Sequence, residues 1–218
     1  IKLMKLTDPS IKLIANGESG NKEWTKTALK GLDGAIDYIS YHAYVGTNGS
    51  SPYSIFQKIQ GQDTWIREFA EMVKATVPDT VQNWKKWYRF PHRTTPVKIA
   101  LDEWGIWEQQ DPPYGTTNTY EWRHGLATAC FLNAILHNAE HIGMANWAQM
   151  VNILAPIMTN TQTSVKQTVF FPLKEYRTQS LKESVQAKAQ SPIIEEELQS
   201  INVSATIDRD KKQLTVNI

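Results

Sequence analysis

Polar and aromatic side chains follow each of four short apolar runs of the sequence. They are the segments 16–19 (Asn-Gly-Glu-Ser), 42–44 (His-Ala-Tyr), 102–104 (Asp-Glu-Trp) and 146–149 (Asn-Trp-Ala-Gln). His42 and Tyr44 are two residues apart, so their side chains point the same way in an extended strand. An ionised carboxylate such as that of Glu103 could act as a nucleophile in such a setting. Taken alone, a single Glu is more often a loop cap or the partner of a Lys or Arg.

The apolar runs are predicted strands, and helical patterns separate them. The strand candidates cover 11–15, 36–42, 97–101 and 142–148. Apolar residues recur at helical spacing from Trp65 to Val77, ahead of Pro78, and a nearly all-apolar helix is predicted from about Tyr120 to His137. Strands alternating with helices predict an α/β fold with a parallel sheet, and four such units are half of an eight-stranded barrel. In such a barrel, reactive side chains lie at the carboxyl ends of the strands.

The last forty residues have a different pattern. A helix is predicted over 180–190, and Ser191-Pro192 is the expected domain junction. Apolar and polar residues then alternate over 201–207 and again over 214–218, on either side of the polar turn 208–212. This pattern predicts a two-stranded hairpin, which needs further strands or a partner surface for stability. We therefore expect domains at 1–190 and 191–218, and a chain that is an internal piece of a longer protein.

Composition excludes several functional classes. The 218 residues contain 23 Lys and Arg against 22 Asp and Glu, a formal net charge of +1, which argues against a nucleic-acid partner. The one basic cluster, residues 85–93, is interrupted by aromatics, and no apolar run approaches the roughly 18–20 residues of a membrane span. Eight Trp and eight Tyr are many for this length. A large core explains them, and sugar-binding surfaces are the other common use of aromatic rings.

Three motifs in order carry a family resemblance. Residues 39–44 (Ile-Ser-Tyr-His-Ala-Tyr), 102–107 (Asp-Glu-Trp-Gly-Ile-Trp) and 144–152 (Met-Ala-Asn-Trp-Ala-Gln-Met-Val-Asn) resemble glycoside hydrolase family 51, which consists mainly of α-L-arabinofuranosidases. Segments 5–16, 126–137 and 154–159 are also similar to that family. The resemblance implies a (β/α)₈ TIM barrel, of which this chain holds the second half (about strands 5–8), followed by the first strands of an all-β sandwich.

The resemblance also implies a retaining mechanism with two carboxyl groups, a nucleophile and an acid/base. Glu103 matches the nucleophile. The family's acid/base is the Glu of an Asn-Glu pair, and no Asn-Glu dipeptide occurs in this chain. Glu18, Glu23 and Glu108 lie in the wrong places to replace it. The chain therefore carries the nucleophile only, and we expect it to be inactive by itself.

Four more residues match family positions that contact the sugar. By resemblance, His42 and Tyr44 line the pocket beside the nucleophile, with the Tyr44 hydroxyl a donor to Glu103. Trp107 matches the wall against which the furanose ring packs, and Gln149 a hydrogen-bonding partner of the arabinose in the first subsite. Core packing is the competing explanation for Trp107. Gly105 departs from the family, where Asn is common, and the loop 111–119 is a candidate source of specificity.

The remaining histidines are expected to be structural. His137 and His141 are four residues apart, but no third ligand has suitable spacing, so we expect no metal. The implied chemistry needs no cofactor either.

The resemblance thus implies release of terminal α-L-arabinofuranosyl residues from arabinan- or arabinoxylan-type saccharides, in a cytoplasmic protein that is often a homo-oligomer. Two alternatives stay open: a β-glycanase or xylosidase of a related barrel family, and a catalytically inert carbohydrate-binding domain.

Overall fold

A computed structural model describes residues 1–18, 20–32, 35–47, 51–77, 93, 95–108 and 119–218. Most of the basic cluster and nearly all of the 111–119 loop lie outside these residues. The helices of the described part are α1 (Lys2–Thr7), α2 (Lys22–Leu32), α3 (Ser54–Thr76), α4 (Trp122–His137) and α5 (Phe170–Gln179). Its strands are β1 (Ile14–Ala15), β2 (Tyr38–Val45), β3 (Lys98–Ile106), β4 (Ile142–Trp147), β5 (Ile157–Thr159), β6 (Ser164–Lys166), β7 (Glu183–Val185), β8 (Ile193–Glu195), β9 (Leu198–Gln199), β10 (Ser204–Asp208) and β11 (Gln213–Asn217).

The first four strands form one sheet in the order β1-β2-β3-β4. β1 and β2 are parallel. β2 and β3 also run the same way: Lys98 N–H donates to the Asp37 carbonyl at their start (3.2 Å), and Trp107 N–H donates to the Val45 carbonyl at their end (2.8 Å). The helix α2 connects β1 to β2, and α3 lies between β2 and β3 in sequence. The predicted α/β fold with a parallel sheet is confirmed.

The predicted elements differ from the observed ones mainly at their ends. Only Ile14–Ala15 of the run 11–15 is strand, whereas β3 continues past residue 101 to Ile106. Glu103 therefore lies within its strand rather than after it, which corrects the prediction. The long helix α3 begins at Ser54, eleven residues before the start of the predicted periodic pattern at Trp65. The helix predicted from about residue 120 is α4.

The chain divides into two compact units. The first comprises Ile1–Ala43, Trp65–Glu103 and Glu140–Asn146, and the second comprises Tyr44–Thr64, Trp104–Ala139 and Trp147–Ile218. In the first unit, the ring of Tyr41 packs on Phe69 with centroids 4.9 Å apart. In the second, Trp104 packs on Phe131 at 4.9 Å and meets Trp147 edge-on at 5.1 Å. Trp104 is fully buried, so it belongs to the core.

The C-terminal strands form a three-stranded antiparallel sheet in the order β11-β10-β7. The predicted hairpin is confirmed, with Ser204 opposite Asn217 and Asp208 opposite Gln213. The helix predicted over 180–190 is wrong, because β7 lies there and pairs with β10. This sheet includes residues ahead of 191, and the domain junction at 191 stays a prediction.

A buried polar cluster joins α4 and α5 to the chain around β10. Asn133 of α4 is 1% exposed. Its side-chain carbonyl accepts hydrogen bonds from the hydroxyls of Tyr176 (2.7 Å) and Ser204, and its amide donates to Asn202 Oδ1 (2.6 Å). The buried side chains of Asn133 and Ser204 thus find partners within the cluster, as buried polar groups must if they are not to destabilise the fold.

No helix in the described ranges combines the length and the apolar character that crossing a bilayer requires.

Candidate active site

Glu103 and His42 lie next to each other on the parallel sheet. β3 carries Glu103 and β2 carries His42, and Oε2 of the carboxylate is 3.6 Å from Nδ1 of the imidazole. The two side chains are 48% and 46% exposed. A half-exposed carboxylate can be reached by a substrate, and the imidazole beside it supplies a proton donor when its Nδ1 is protonated.

Asp102 is the third member of this group, and a hydrogen bond from Ser40 fixes its carboxylate. Ser40 and His42 are two residues apart on β2 and so share a face of the strand. The buried Ser40 hydroxyl donates a 2.7 Å hydrogen bond to Oδ1 of Asp102, and Nε2 of His42 is 3.5 Å from the same oxygen. Gly17, after β1, lets the chain pass close to Ser40, since a Cβ at Gly17 would be 2.1 Å from the Ser40 carbonyl oxygen. The imidazole of His42 is thus placed between two carboxylates, each near one of its ring nitrogens.

Trp107, predicted for the sugar wall, meets Tyr44, which was predicted to lie beside the nucleophile. Tyr44 and Trp107, both in the second unit, form an edge-to-face pair with centroids 5.2 Å apart and planes at 84°. The indole of Trp107 is 46% exposed, so core packing does not account for it. An exposed aromatic face with a fixed neighbour is suited to packing against the C–H groups of a sugar.

Gln149, the last predicted sugar contact, follows β4 and has an exposed side chain. Its backbone N–H donates to the Leu154 carbonyl, and the indole N–H of Trp147 donates to the same oxygen. The structure brings together His42 with Glu103 and Tyr44 with Trp107, and it gives Gln149 an exposed position on the chain that leaves β4.

The described histidines outside the site make structural contacts. Nδ1 of His137 lies 2.9 Å from Asp63 and its Nε2 lies 2.8 Å from the Val203 carbonyl, whereas His141 pairs with Glu140 at 3.1 Å. His92 lies outside the described residues. Among the residues that the structure does describe, no three His, Cys, Asp or Glu side chains are grouped as a metal site would require.

Glu108 is the functional candidate that sequence reasoning set aside. Its carboxylate accepts hydrogen bonds from Thr47, both from the backbone N–H (3.0 Å) and from Oγ1 (2.7 Å). Arg123 donates to its other oxygen at 3.2 Å. The only sequence signal for this cluster is that Glu108 directly follows Trp107; the contact with Thr47 spans sixty-one residues of chain and could not be foreseen.

The fold and these contacts define an α/β protein whose parallel sheet presents a pair of adjacent carboxylates and a histidine to solvent. Comparison with known proteins narrows the class. Residues 102–218 match the family profile described as the α-L-arabinofuranosidase C-terminal domain.

Relatives of established name agree with that match. An intracellular exo-α-(1→5)-L-arabinofuranosidase of Halalkalibacterium halodurans is 29% identical over 208 residues, a stretch covering 88% of this chain and 39% of the relative. The enzyme of the same name from Acetivibrio thermocellus is 26% identical, over 99% of this chain and 46% of the relative. An α-L-arabinofuranosidase of Thermotoga maritima, solved as an arabinose complex, superposes with a TM-score of 0.80 at 24% identity, over 99% of this chain and 44% of that one.

The chain therefore belongs to the α-L-arabinofuranosidases of glycoside hydrolase family 51, of which it carries the C-terminal region. It spans less than half the length of the relatives it matches.

Proposed function

We propose that the protein containing this chain is a retaining glycoside hydrolase that releases terminal α-L-arabinofuranosyl residues from arabinan- or arabinoxylan-type saccharides. Membership of the family supports the activity, as do relatives named exo-α-(1→5)-L-arabinofuranosidases. The observation that carries the mechanism is the half-exposed Glu103 carboxylate beside the His42 imidazole.

In the proposed reaction Glu103 is the nucleophile. One carboxylate oxygen forms a bond to the anomeric carbon of the arabinofuranose as the bond from that carbon to the glycosidic oxygen breaks. The departing oxygen takes a proton from the acid/base residue, which leaves a covalent glycosyl-enzyme intermediate. A water molecule then attacks the anomeric carbon, its proton returns to the acid/base, and Glu103 leaves as a carboxylate with free arabinose as the product.

The acid/base residue of this scheme is a Glu outside the 218 residues. The Asn-Glu pair expected from the family does not occur in the sequence. Glu108, the nearest Glu along the chain, is already engaged by Thr47 and Arg123 and is thereby removed from proton transfer to a substrate.

We also propose that residues 1–190 are the second half of a (β/α)₈ barrel and that residues 191–218 begin a β-sandwich.

The other predicted site residues take up the sugar. His42 orients the Glu103 carboxylate, and Tyr44 offers its hydroxyl as a hydrogen-bond donor. Trp107 packs against the furanose ring, and Gln149 hydrogen-bonds a sugar hydroxyl. The scheme uses no cofactor, and the proposed location is inside the cell, as it is for the relatives named intracellular.

The test compares Glu103→Gln with a control in the full-length enzyme. Loss of the nucleophile should lower kcat on 4-nitrophenyl α-L-arabinofuranoside by at least roughly a thousandfold, because an amide cannot form the glycosyl ester. Glu140→Gln makes the same change at an exposed carboxylate in the loop before β4 and should act like the wild type. Mass spectrometry after trapping with a slowly hydrolysed 2-fluoro arabinofuranoside should find one pentosyl group on the peptide that contains Glu103.

Each alternative predicts a different outcome. A xylosidase would hydrolyse 4-nitrophenyl β-D-xyloside faster than the arabinofuranoside. An inert binding domain would hydrolyse neither substrate, and Glu103→Gln would change nothing. The anomeric configuration of the first product can be monitored by NMR, and an inverted configuration would contradict the retaining mechanism.

A further inference from the structure

Trp107 is a large exposed side chain whose backbone is anchored on both sides. On one side, the Ile106 carbonyl accepts a hydrogen bond from the buried Tyr120 hydroxyl (2.8 Å). On the other side is Glu108, whose carboxylate accepts hydrogen bonds from Thr47 and Arg123. The Trp107 N–H itself donates to the Val45 carbonyl. An indole held in this way loses little further freedom when a ligand binds.

Glu108 ties the end of β3 to the end of β2. Its Oε1 accepts both donors of Thr47, the backbone N–H at 3.0 Å and Oγ1 at 2.7 Å. The chain between these partners passes very close, because a Cβ on Gly46 would be 2.3 Å from the Trp107 carbonyl oxygen. Tyr44 is two residues before Gly46, so the same connection fixes the ring against which Trp107 packs.

The other oxygen of Glu108 reaches the first turn of α4. Nη2 of Arg123 donates to Oε2 at 3.2 Å, and Nε2 of His124 is also 3.2 Å from it. His124 is itself fixed, since its Nδ1 accepts the backbone N–H of Glu121 at 2.8 Å. One carboxylate thus connects three parts of the second unit, namely the ends of β2 and β3 and the start of α4.

We propose that Glu108 is a positioning residue that holds Trp107 against Tyr44 as a preformed platform for the arabinofuranose ring. This inference rests on the proposed function, and it assigns a specificity role to a residue that does not touch the substrate. Glu108 is set apart from the exposed acidic side chains because its side chain is only 15% exposed and its polar contacts reach both Thr47 after β2 and the first turn of α4.

The experiment is a double-mutant cycle in the full-length enzyme. The platform contacts the sugar in the bound substrate and in the transition state alike, so loosening it should raise KM and leave kcat nearly unchanged. We expect Glu108→Gln to raise KM for 4-nitrophenyl α-L-arabinofuranoside by roughly fivefold to tenfold, with kcat within about twofold of the wild type. In a Trp107→Ala background, Glu108→Gln should change KM no further, because the group that it positions is gone.

Two more variants keep the test decisive. Glu183→Gln removes a carboxylate of the same unit that pairs with Arg209 on the surface, and it should leave both constants unchanged. If Glu108→Gln does not fold, Thr47→Val removes one hydrogen bond of the cluster at nearly constant volume, and its KM should rise in the same way by a smaller factor.

The outcomes separate the two proposals. An active wild type whose KM is unaffected by Glu108→Gln, or a cycle in which the two KM effects simply multiply, overturns the positioning role alone. A wild type without activity on arabinofuranosides overturns the proposed function and this inference with it.

Discussion

Glu108 and His124 have charges that their surroundings determine. Burial opposes ionisation of Glu108, but the hydrogen bonds from Thr47 and the electrostatic attraction of the neighbouring His124 and Arg123 outweigh it and hold the pKa of that carboxyl below its ordinary value. Burial lowers the pKa of His124 despite the attraction of Glu108. Because Nδ1 of His124 accepts the Glu121 amide, the neutral ring carries its hydrogen on Nε2, which faces Glu108. The pair at neutral pH is therefore a carboxylate beside a neutral imidazole.

The same pair predicts a pH dependence of stability. When the pH decreases below about 6.5, the ordinary pKa of a histidine, His124 becomes protonated in the unfolded chain before it does in the native state. The free energy of unfolding therefore decreases as the pH decreases. The depressed pKa of Glu108 adds a further loss at lower pH, as the pH falls through its native-state value. Urea unfolding of His124→Gln should show a smaller loss between pH 7 and pH 5.5 than the wild type shows.

His141→Gln is the control for that experiment. His141 pairs with the exposed Glu140 outside the cluster, and its variant should keep the wild-type pH slope. If the free energy of unfolding changed equally with pH in the wild type and in His124→Gln, His124 would have the same pKa in the native and unfolded states, which would contradict the prediction.

At the scale of single residues, the sequence predicted the types of group in the site but not all of their partners. The spacing of His42 and Tyr44 predicts a shared face of a strand, whereas the roles of these residues and of Glu103 came from the family resemblance. The family resemblance suggested Trp107 for the sugar wall but left core packing as the competing explanation, and only the packed structure supplies the exposure that argues against core packing. The role of Glu108 depends on Thr47, and nothing local marks that pair because a contact between distant segments leaves no periodic pattern.

At the scale of elements, local patterns predicted α4 well and β7 not at all. Eleven of the sixteen residues of α4 are apolar or Gly, and the helix packs against α5 and β10. The segment 180–190 has the charges and spacing of a helix, but pairing with β10 makes part of it β7: Ser184 lies opposite Thr206, and Leu181 N–H donates to the Thr206 hydroxyl. Strand pairing of this kind outweighs a modest helix propensity.

The buried Asn133 cluster gives a prediction at the same scale. Asn133→Ala leaves the hydroxyls of Tyr176 and Ser204 without their acceptor in the interior. An unpaired buried polar group costs about 1–3 kcal/mol. We therefore expect a loss of roughly 2–5 kcal/mol in the free energy of unfolding, measured by urea denaturation.

Gln190→Ala, at an exposed position outside regular structure, should stay within about 0.5 kcal/mol of the wild type. A loss in Asn133→Ala no larger than that of Gln190→Ala would contradict the structural role of the cluster.

At the scale of the whole molecule, the proposed function assigns the nucleophile to Glu103 of this chain and the acid/base to a residue outside the 218. We predict that this chain alone turns over 4-nitrophenyl α-L-arabinofuranoside at less than about a thousandth of the full-length rate. General acid–base catalysis contributes roughly 10²–10⁴-fold, and the proposed mechanism assigns it to a residue outside the chain. The measurement is the initial rate of nitrophenol release by the purified chain and by the full-length enzyme. Enzyme-like turnover by the chain alone would place a working acid among residues 1–218.

The absence of a side chain at Gly46 limits which loops can be exchanged between homologous hydrolases. Its missing side chain allows the connection after β2 to approach the Trp107 carbonyl. A donor segment with any larger residue at that position would push the two connections apart, whatever the quality of the graft elsewhere. Chimeras should therefore inherit position 46 and the Trp107 segment from the same parent.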